Sequence, residues 1–551
     1  MLSRRRLLPL RVAVWAVASL AALPLVVVLS SLLHPETAVW AHLGEHVLPE
    51  LIGTTAALVL GVCAGVLLLG VSLAWLTAVY EFPGRRFFNW ALMLPLAMPA
   101  YVLAFVQVGL LDFTGPLQTV LRGWFGADLR LPEIRSLGGA VLVLSLSFYP
   151  YVYLLARDAF ASQGQRALEV AQSLGLTPAQ GFWRVALPLA RPWIAAGVLL
   201  AMMETLADFG AVYIFGVDTF TTAIYKAWFS LFSLPAATQL ASLLVLAALT
   251  LMSLEQWQRG WRRYTPTGRS QVVRRRRLTG WAAAGACGFA ALVLAVAFVV
   301  PVAQLLIWAI EVAPQDLDAR YPAFIGRSLL LAVLAALLVV GLALVVGYGE
   351  RRIRDRSTML AARIASVGYA IPGTVLAVGV FVPVAWLDNG LIDVFGLQTS
   401  AVFKGTVAVM LLALAARFLA VGLQPISSGL NRVSVNQEQA ARSLGAAGAT
   451  LVWRLHLPLL RRSLMTAALL VFVDVMKEMP ITLMTRPFGW DTLAVRVFEM
   501  TSEGEWERAA LPAVALVLVG LLPVIMLTRT AEGARAAASG YAGATVTEVV
   551  R

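Results

Sequence analysis

Apolar runs of about 20 residues recur along the chain, parted by short segments rich in arginine, glycine and proline. A helix needs about that length to cross ~30 Å of hydrocarbon, so the pattern predicts a helical membrane protein. The short alternating segments of a transmembrane barrel do not occur. About twelve spans are expected, near 12–33, 52–79, 88–111, 138–156, 192–215, 236–256, 280–310, 327–348, 361–387, 402–424, 463–484 and 510–528. The expected fold class is an all-α polytopic membrane protein.

The pattern repeats. AQSLGLTPAQGFWRVALPLARP at 171–192 aligns without a gap on ARSLGAAGATLVWRLHLPLLRR at 441–462, and AMPAYVLA at 97–104 resembles AIPGTVLA at 370–377. The chain therefore reads as a tandem duplication with six spans per half: residues 1–257, a basic linker at 258–279, residues 280–530 and a small polar tail at 531–551. An even number of spans gives both halves one orientation and a pseudo-two-fold axis along the membrane normal.

Composition agrees, with 60% hydrophobic and 13% charged residues and a mean hydropathy of +0.81. The net charge of +13 comes from arginines clustered between spans (SRRR at 3–6, GRR at 84–86, RRRR at 274–277, ERRIRDR at 350–356). This is the positive-inside pattern. It places both termini in the cytoplasm and leaves no reason to invoke a nucleic acid. The first apolar run, preceded by arginines and too long for a signal sequence, reads as an uncleaved span. Cys63 and Cys287 lie in apolar runs without paired spacing and read as free thiols.

Each repeated segment falls between the fourth and fifth span of its half, on the cytoplasmic side, and reads as two short helices. Residues 160–174 can be helical, closed by Gly175 in the left-handed conformation. Thr177, Pro178 and Gln180 then form a capping-box start. The second copy keeps Gly445 and Pro458 but lacks that cap. One copy alone could be an ordinary amphipathic connector. Two at matched positions predict paired docking surfaces for a two-fold symmetric partner.

These segments resemble the E-A-A-x3-G-x9-I-x-L-P pattern of inner-membrane permeases of binding-protein-dependent ABC importers. The first copy has Glu169-Val-Ala171, Gly175 and Val185-Ala-Leu187-Pro188; the second has Gln439-Ala-Ala441, Gly445 and Leu455-His-Leu457-Pro458. Gln439 departs from the family's glutamate. The resemblance implies that both loops dock on two copies of an ATP-hydrolysing subunit and that an external solute-binding protein delivers the cargo. It also implies a bacterial inner-membrane location. METLADFGAVYIFGVDTFTTAIYKAWF and FVDVMKEMPITLMTRPFGWDTLAVRVFEM further resemble the fused two-half permeases of ferric-iron importers; permeases for thiamine and phosphonate-type substrates share the layout.

Catalysis by this chain is not expected. A phosphate-binding loop needs Gly-Lys followed by Ser or Thr, and none of Lys226, Lys404 and Lys477 stands in that setting. ATP and Mg²⁺ are thus assigned to the partner ATPase, and no cofactor to this chain. Among His34, His42, His46 and His456, only His42 and His46 have a ligand-like spacing, and two ligands make a poor metal site.

METLADFG, at 203–210, puts Glu204 and Asp208 deep in an apolar run, and the repeat offset carries them to Asp474 and Glu478. On a continuous helix each pair would share one face, roughly 18 and 24 Å into the span counted from Pro192. Acids at such depth face a water-filled path or a partner. If the fifth spans face each other, four carboxylates converge, and they must be neutralised by a cation or by protons. Hard cations favour such oxygen ligands. Glu204, Asp208, Asp474 and Glu478 are therefore candidate pathway residues and transient metal contacts, which fits ferric iron. Structural pairing with Lys477 or Thr205 is the alternative. An organic cation would call for an aromatic cage, for which Tyr101, Phe209 and Tyr213 are available. A gradient-driven transporter would use the acids as proton sites, but the duplicated loop argues against it. Pro95, Pro99, Pro372 and Gly373 are read as points of bending or packing in the third spans.

Overall fold

The computed structural model describes residues 7–33, 40, 43–161, 173, 175–260, 275–317, 320–399, 401–446 and 448–525. Its long helices are α1 (Leu8–Ser30), α2 (Leu48–Val79), α3 (Ala100–Leu111), α4 (Leu137–Ala159), α5 (Leu187–Ala207) and α6 (Leu234–Gly260). The second series is α7 (Gly280–Asp316), α8 (Tyr321–Ile353), α9 (Gly373–Phe395), α10 (Val407–Arg432), α11 (Leu457–Lys477) and α12 (Trp506–Ile525). Among the described residues, eleven helical stretches are long and apolar enough to cross a membrane, α3 being counted with the helix after it as Ala100–Phe125. α11 is not among them by composition, because it carries Arg461, Arg462, Asp474 and Lys477. It is nonetheless 21 residues long, like its repeat counterpart α5. The fold is an all-α membrane bundle whose twelve main helices, among the described residues, fall in two repeated sets. Among the described residues the only sheet is a parallel pair, Tyr80–Glu81 with Arg276–Arg277, which clips the end of the linker to the loop after α2.

Small residues let the helices approach closely, as membrane packing demands. α2 lies along α4. A Cβ added at Gly61, Gly65 or Gly70 would come within 3 Å of Val141, Ser145 and Val152, respectively. α8 lies along α10, α5 packs on α4, and α11 packs on both α8 and α10. The first helix of each set instead packs on the other set. α1 lies against α8, α9 and Arg356–Ala365, while α7 lies against α3 and Arg85–Ala91. Arg11 pairs with Asp355, Trp15 Nε1 donates to Ser357 Oγ at 3.1 Å, and Gln107 Nε2 donates to the Val296 carbonyl at 2.9 Å. The linker divides the chain, whereas the packing interlocks.

Four spans expected to be continuous are broken. The third span of the first set enters as Arg85–Ala91 and a 3-10 turn at Leu94–Ala97, then restarts as α3 after Pro99. Its counterpart runs from Arg356–Ala365 through a turn at Val367–Ala370 to α9 after Pro372. A proline has no N–H to donate and suits a new helix start, so these prolines mark breaks rather than bends. The fifth spans end at Ala207 and Lys477, and Asp208 and Glu478 are extended. Short helices Gly210–Ile214 and Pro480–Thr485 follow. Irregular backbone at membrane depth is tolerated where it is buried in protein or lines a cavity.

Candidate functional site

All four breaks converge on one cavity of about 220 Å³. Glu204, Asp208, Asp474, Glu478, Arg417 and Lys477 all line it. The repeat thus brings the four predicted acids together, but not as a ring on two continuous helices.

Asp208 and Glu478 lie outside the helices whose faces they were expected to share. Asp208 Oδ1 accepts from the Val212 N–H at 3.1 Å, and Glu478 Oε2 accepts from the Ile481 N–H at 3.0 Å. Each carboxylate therefore caps the short helix after the break, where a negative group also meets the positive end of the helix dipole. The Thr221 hydroxyl donates to the Asp208 carbonyl at 2.6 Å, and the Thr482 hydroxyl to the Glu478 carbonyl at 3.2 Å. Sequence periodicity missed this because an acid two residues ahead of Gly210, or just ahead of Pro480, competes for backbone donors and stops the helix.

Glu204 and Asp474 remain on the last turns of α5 and α11. Glu204 Oε1 accepts from the Tyr369 hydroxyl at 3.3 Å. Asp474 has no hydrogen bond or ion pair within 4 Å among the described residues. Of the expected partners, Thr205 donates instead to the Ala201 carbonyl at 2.7 Å, while Lys477 donates its Nζ to the Leu96 carbonyl at 3.0 Å, across the two sets, and its charge still acts on Asp474 in the shared cavity. Nor do the four acids make a ready metal site. No three His, Cys, Asp or Glu side chains among the described residues are grouped to hold an ion.

Arg417 was missed. It sits on α10, with Nη1 at 3.9 Å from Glu478 Oε1 and donating to the Ile371 carbonyl at 3.3 Å. At 3.9 Å the ion pair lies beyond hydrogen-bond reach, and Glu478 Oε1 and Arg417 Nε have no hydrogen-bond partner among the described residues. A lone arginine inside the apolar run 402–424 was the available sequence signal. The 270-residue offset that joins the starts of α4 and α10 maps Arg417 to Ser147 and Lys477 to Ala207, and both counterparts also line the cavity. Both cations therefore come from the second set, against two acids from each.

Of the three aromatic candidates, Tyr101 and Phe209 line the cavity with the acids and Tyr213 does not. Phe209 also packs with Tyr213, Tyr225 and Phe498, at centroid distances of 5.6, 5.0 and 5.5 Å. The Tyr101 hydroxyl donates to the Lys477 carbonyl at 3.4 Å.

At one end of the bundle lie the repeated loops. Glu169 and Ala171 fall outside the described residues, as do His34 and His42. Gly175 and Gly445 adopt φ of +77° and +83°. Gly445 lets the Ala446 N–H reach the Ala441 carbonyl at 2.9 Å, a closure that favours glycine. The Thr177 N–H donates to Gln180 Oε1 at 3.0 Å, the expected capping box. The second loop has its own box, Ser434 with Gln437, opening Val435–Ser443, on which Gln439 is exposed. A π turn at Phe182–Ala186 and its counterpart Val452–His456 precede Leu187–Pro188 and Leu457–Pro458. On these turns Trp183 and Trp453 are 66% and 71% exposed, a matched pair of apolar prominences. Arg351 at the end of α8 grips Glu438 beside the second loop, with Nη2 at 2.7 Å.

Residues 66–259 match the family described as binding-protein-dependent transport system inner membrane component. Over 88% of this chain and 90% of the relative, the chain is 27% identical to the Fe(3+)-transport system permease protein FbpB 2 of Haemophilus influenzae. It is 30% identical to the sulfate transport system permease protein CysT of Salmonella typhimurium, over 36% of this chain and 70% of the relative. It is 28% identical to the molybdenum transport system permease protein ModB of Haemophilus influenzae, over 34% of this chain and 83% of the relative.

Proposed function

This chain belongs to the family of binding-protein-dependent transport system inner membrane components, and from that premise we propose that it carries ferric iron into the cytoplasm. It is the permease of an ABC importer, and its family works with a solute-binding protein and an ATPase. In our reading two ATPase copies dock on the loops around Gly175 and Gly445, with Leu187–Pro188 and Leu457–Pro458 carrying their movement into α5 and α11. ATP and Mg²⁺ act on the ATPase, and both termini of this chain face the cytoplasm with it. The halves divide at the linker 258–279.

The observation that carries the cargo assignment is the charge of the cavity: four carboxylates, Glu204, Asp208, Asp474 and Glu478, face two cations, Arg417 and Lys477. Fully ionised, the wall has an excess of acid, which favours a cation and opposes an oxyanion such as sulfate or molybdate. A relative similar over 88% of this chain is named for Fe(3+) transport, which supports the same choice. Asp208 and Glu478 hold the breaks open as helix caps. Glu204, held by the Tyr369 hydroxyl alone among the described residues, and Asp474, one from each set, are the oxygen donors that meet a passing hard cation.

Uptake in reconstituted vesicles supplied with binding protein and ATPase tests this. Labelled ferric iron should enter, and sulfate and molybdate should not. E204Q combined with D474N should abolish iron entry while the protein still assembles with the ATPase. Undiminished entry in that double variant excludes the pathway role, and entry of an oxyanion in place of iron overturns the cargo.

A further inference from the structure

A second cavity, of about 580 Å³, lies between the start of α8, Leu493–Ser502 and the start of α12. It lies far from the repeated loops. Arg351, near the C-terminal end of α8, grips the second loop, and Arg327 precedes it by ~36 Å along the same helix. The cavity therefore opens at the opposite face of the bundle, where cargo arrives if the loops face the cytoplasm.

Its charged lining is Arg320, Arg327, Arg496, Arg508, Asp316 and Asp491. The acids are spoken for. Asp316 pairs with Arg508 at 3.0 Å. Asp491 pairs with Arg486, which also holds Glu499 at 2.7 Å. Glu499 is shared with Arg496 at 3.0 Å. Arg327 has no carboxylate within 4 Å among the described residues, and its one hydrogen bond goes to the Gly489 carbonyl. Arg496 stacks over Phe324 at 5.1 Å and keeps a buried Nε with no partner among the described residues. Arg327 and the Nε of Arg496 therefore keep guanidinium donors that no carboxylate takes up among the described residues.

The fold does not require these arginines. α2 and α8 open alike, on Leu48-Pro49 and Tyr321-Pro322, 273 residues apart, and the same offset joins Asp218-Thr219 to Asp491-Thr492. It maps Arg320, Arg327 and Arg496 to Val47, Thr54 and Ala223. The first set thus builds the same helices with no charge at these positions.

We infer that this cavity binds a small oxygen anion carrying several carboxylate or oxo groups, held by Arg327 and Arg496. Guanidinium groups bind such anions through paired hydrogen bonds. A ferric ion arriving with anionic ligands would present this chemistry at the outer face, while the acid-rich inner cavity would admit the metal. The site thereby separates the anion from the cation.

Equilibrium dialysis of the detergent-solubilised full-length chain against labelled citrate, and separately against labelled sulfate, tests the site. No iron, ATPase or binding protein is present, so the outcome is independent of the ferric-iron reading. Saturable binding of at least one probe is expected. R327Q should weaken it at least tenfold, and Q315E, which adds a negative charge at an exposed lining position, should weaken it as well. E204Q should leave it unchanged. Q315E keeps the test decisive if R327Q does not fold. No saturable binding of either probe, equal affinity in both lining variants, or binding lost in E204Q overturns the site. In a separate measurement with the binding protein added, an affinity that falls in R327Q while neither anion binds also overturns the site, since Arg327 would then be a docking contact.

Discussion

Arg417 and Glu478 approach to 3.9 Å directly over the backbone of Gly373, the first residue of α9. A Cβ at residue 373 would stand 2.6 Å from Glu478 Oε1 and 2.8 Å from Arg417 Nη1. The missing side chain is what lets a cation from α10 and an acid from the break after α11 share one space. G373A should therefore displace both charges. Iron uptake should fall at least tenfold while ATPase binding, measured by co-purification, stays normal.

Removing one member of a buried ion pair leaves the other uncompensated, which costs about 3–5 kcal/mol. Arg417 and Glu478 side chains are only 15% and 3% exposed. R417M should lower the thermal midpoint of the solubilised protein clearly. R417M with E478Q should recover most of the loss. Additive losses in the double variant would show that the two residues act separately.

Asp208 separates a capping role from a cargo-binding role. D208N keeps an oxygen to accept the Val212 N–H and should leave stability near the parent. D208A should cost about 0.5–2 kcal/mol, as lost caps do. If the acid serves mainly as a cap, D208N retains most iron uptake in the vesicle assay. Complete loss of uptake in D208N would require its negative charge.

The second loop has a pH-dependent tether. Burial by itself would raise the Glu438 carboxyl, but hydrogen bonds from Arg351 and its charge outweigh burial and hold the carboxyl below its ordinary value. A group lowered by folding stabilises above its unfolded value, about 4.3, and loses that contribution as pH falls through the folded one. Hydrogen exchange across residues 434–446, corrected for its intrinsic rate, should therefore be slow at neutral pH and accelerate below about pH 4. E438Q should show the faster exchange already at neutral pH.

Twelve helices, their duplication and the loop closures at Gly175 and Gly445 could be read from hydropathy, offset and turn chemistry. These features depend on local composition, which the sequence carries directly. The breaks at Asp208 and Glu478 were missed because an acid followed by Gly210, or by Met479 and Pro480, can continue an apolar run in hydropathy while ending a helix in hydrogen bonding. Arg417 was missed for a different reason. Its meaning depends on Glu478 and Gly373, which neither period nor motif places beside it. The exchange of α1 and α7 between the sets was equally hidden, because lipid-facing and protein-facing apolar residues have the same composition.

The clip between Tyr80–Glu81 and Arg276–Arg277 ties together two sets that a pair of separate, identical subunits would have to keep alike. Joined in one polypeptide, they can specialise. Residue 417 is arginine where residue 147 is serine, and residue 327 is arginine where residue 54 is threonine. A homodimer would have to carry each such change twice, crowding like charges about its axis. The fused chain makes each change once, so the passage has a left and a right as well as an inside and an outside.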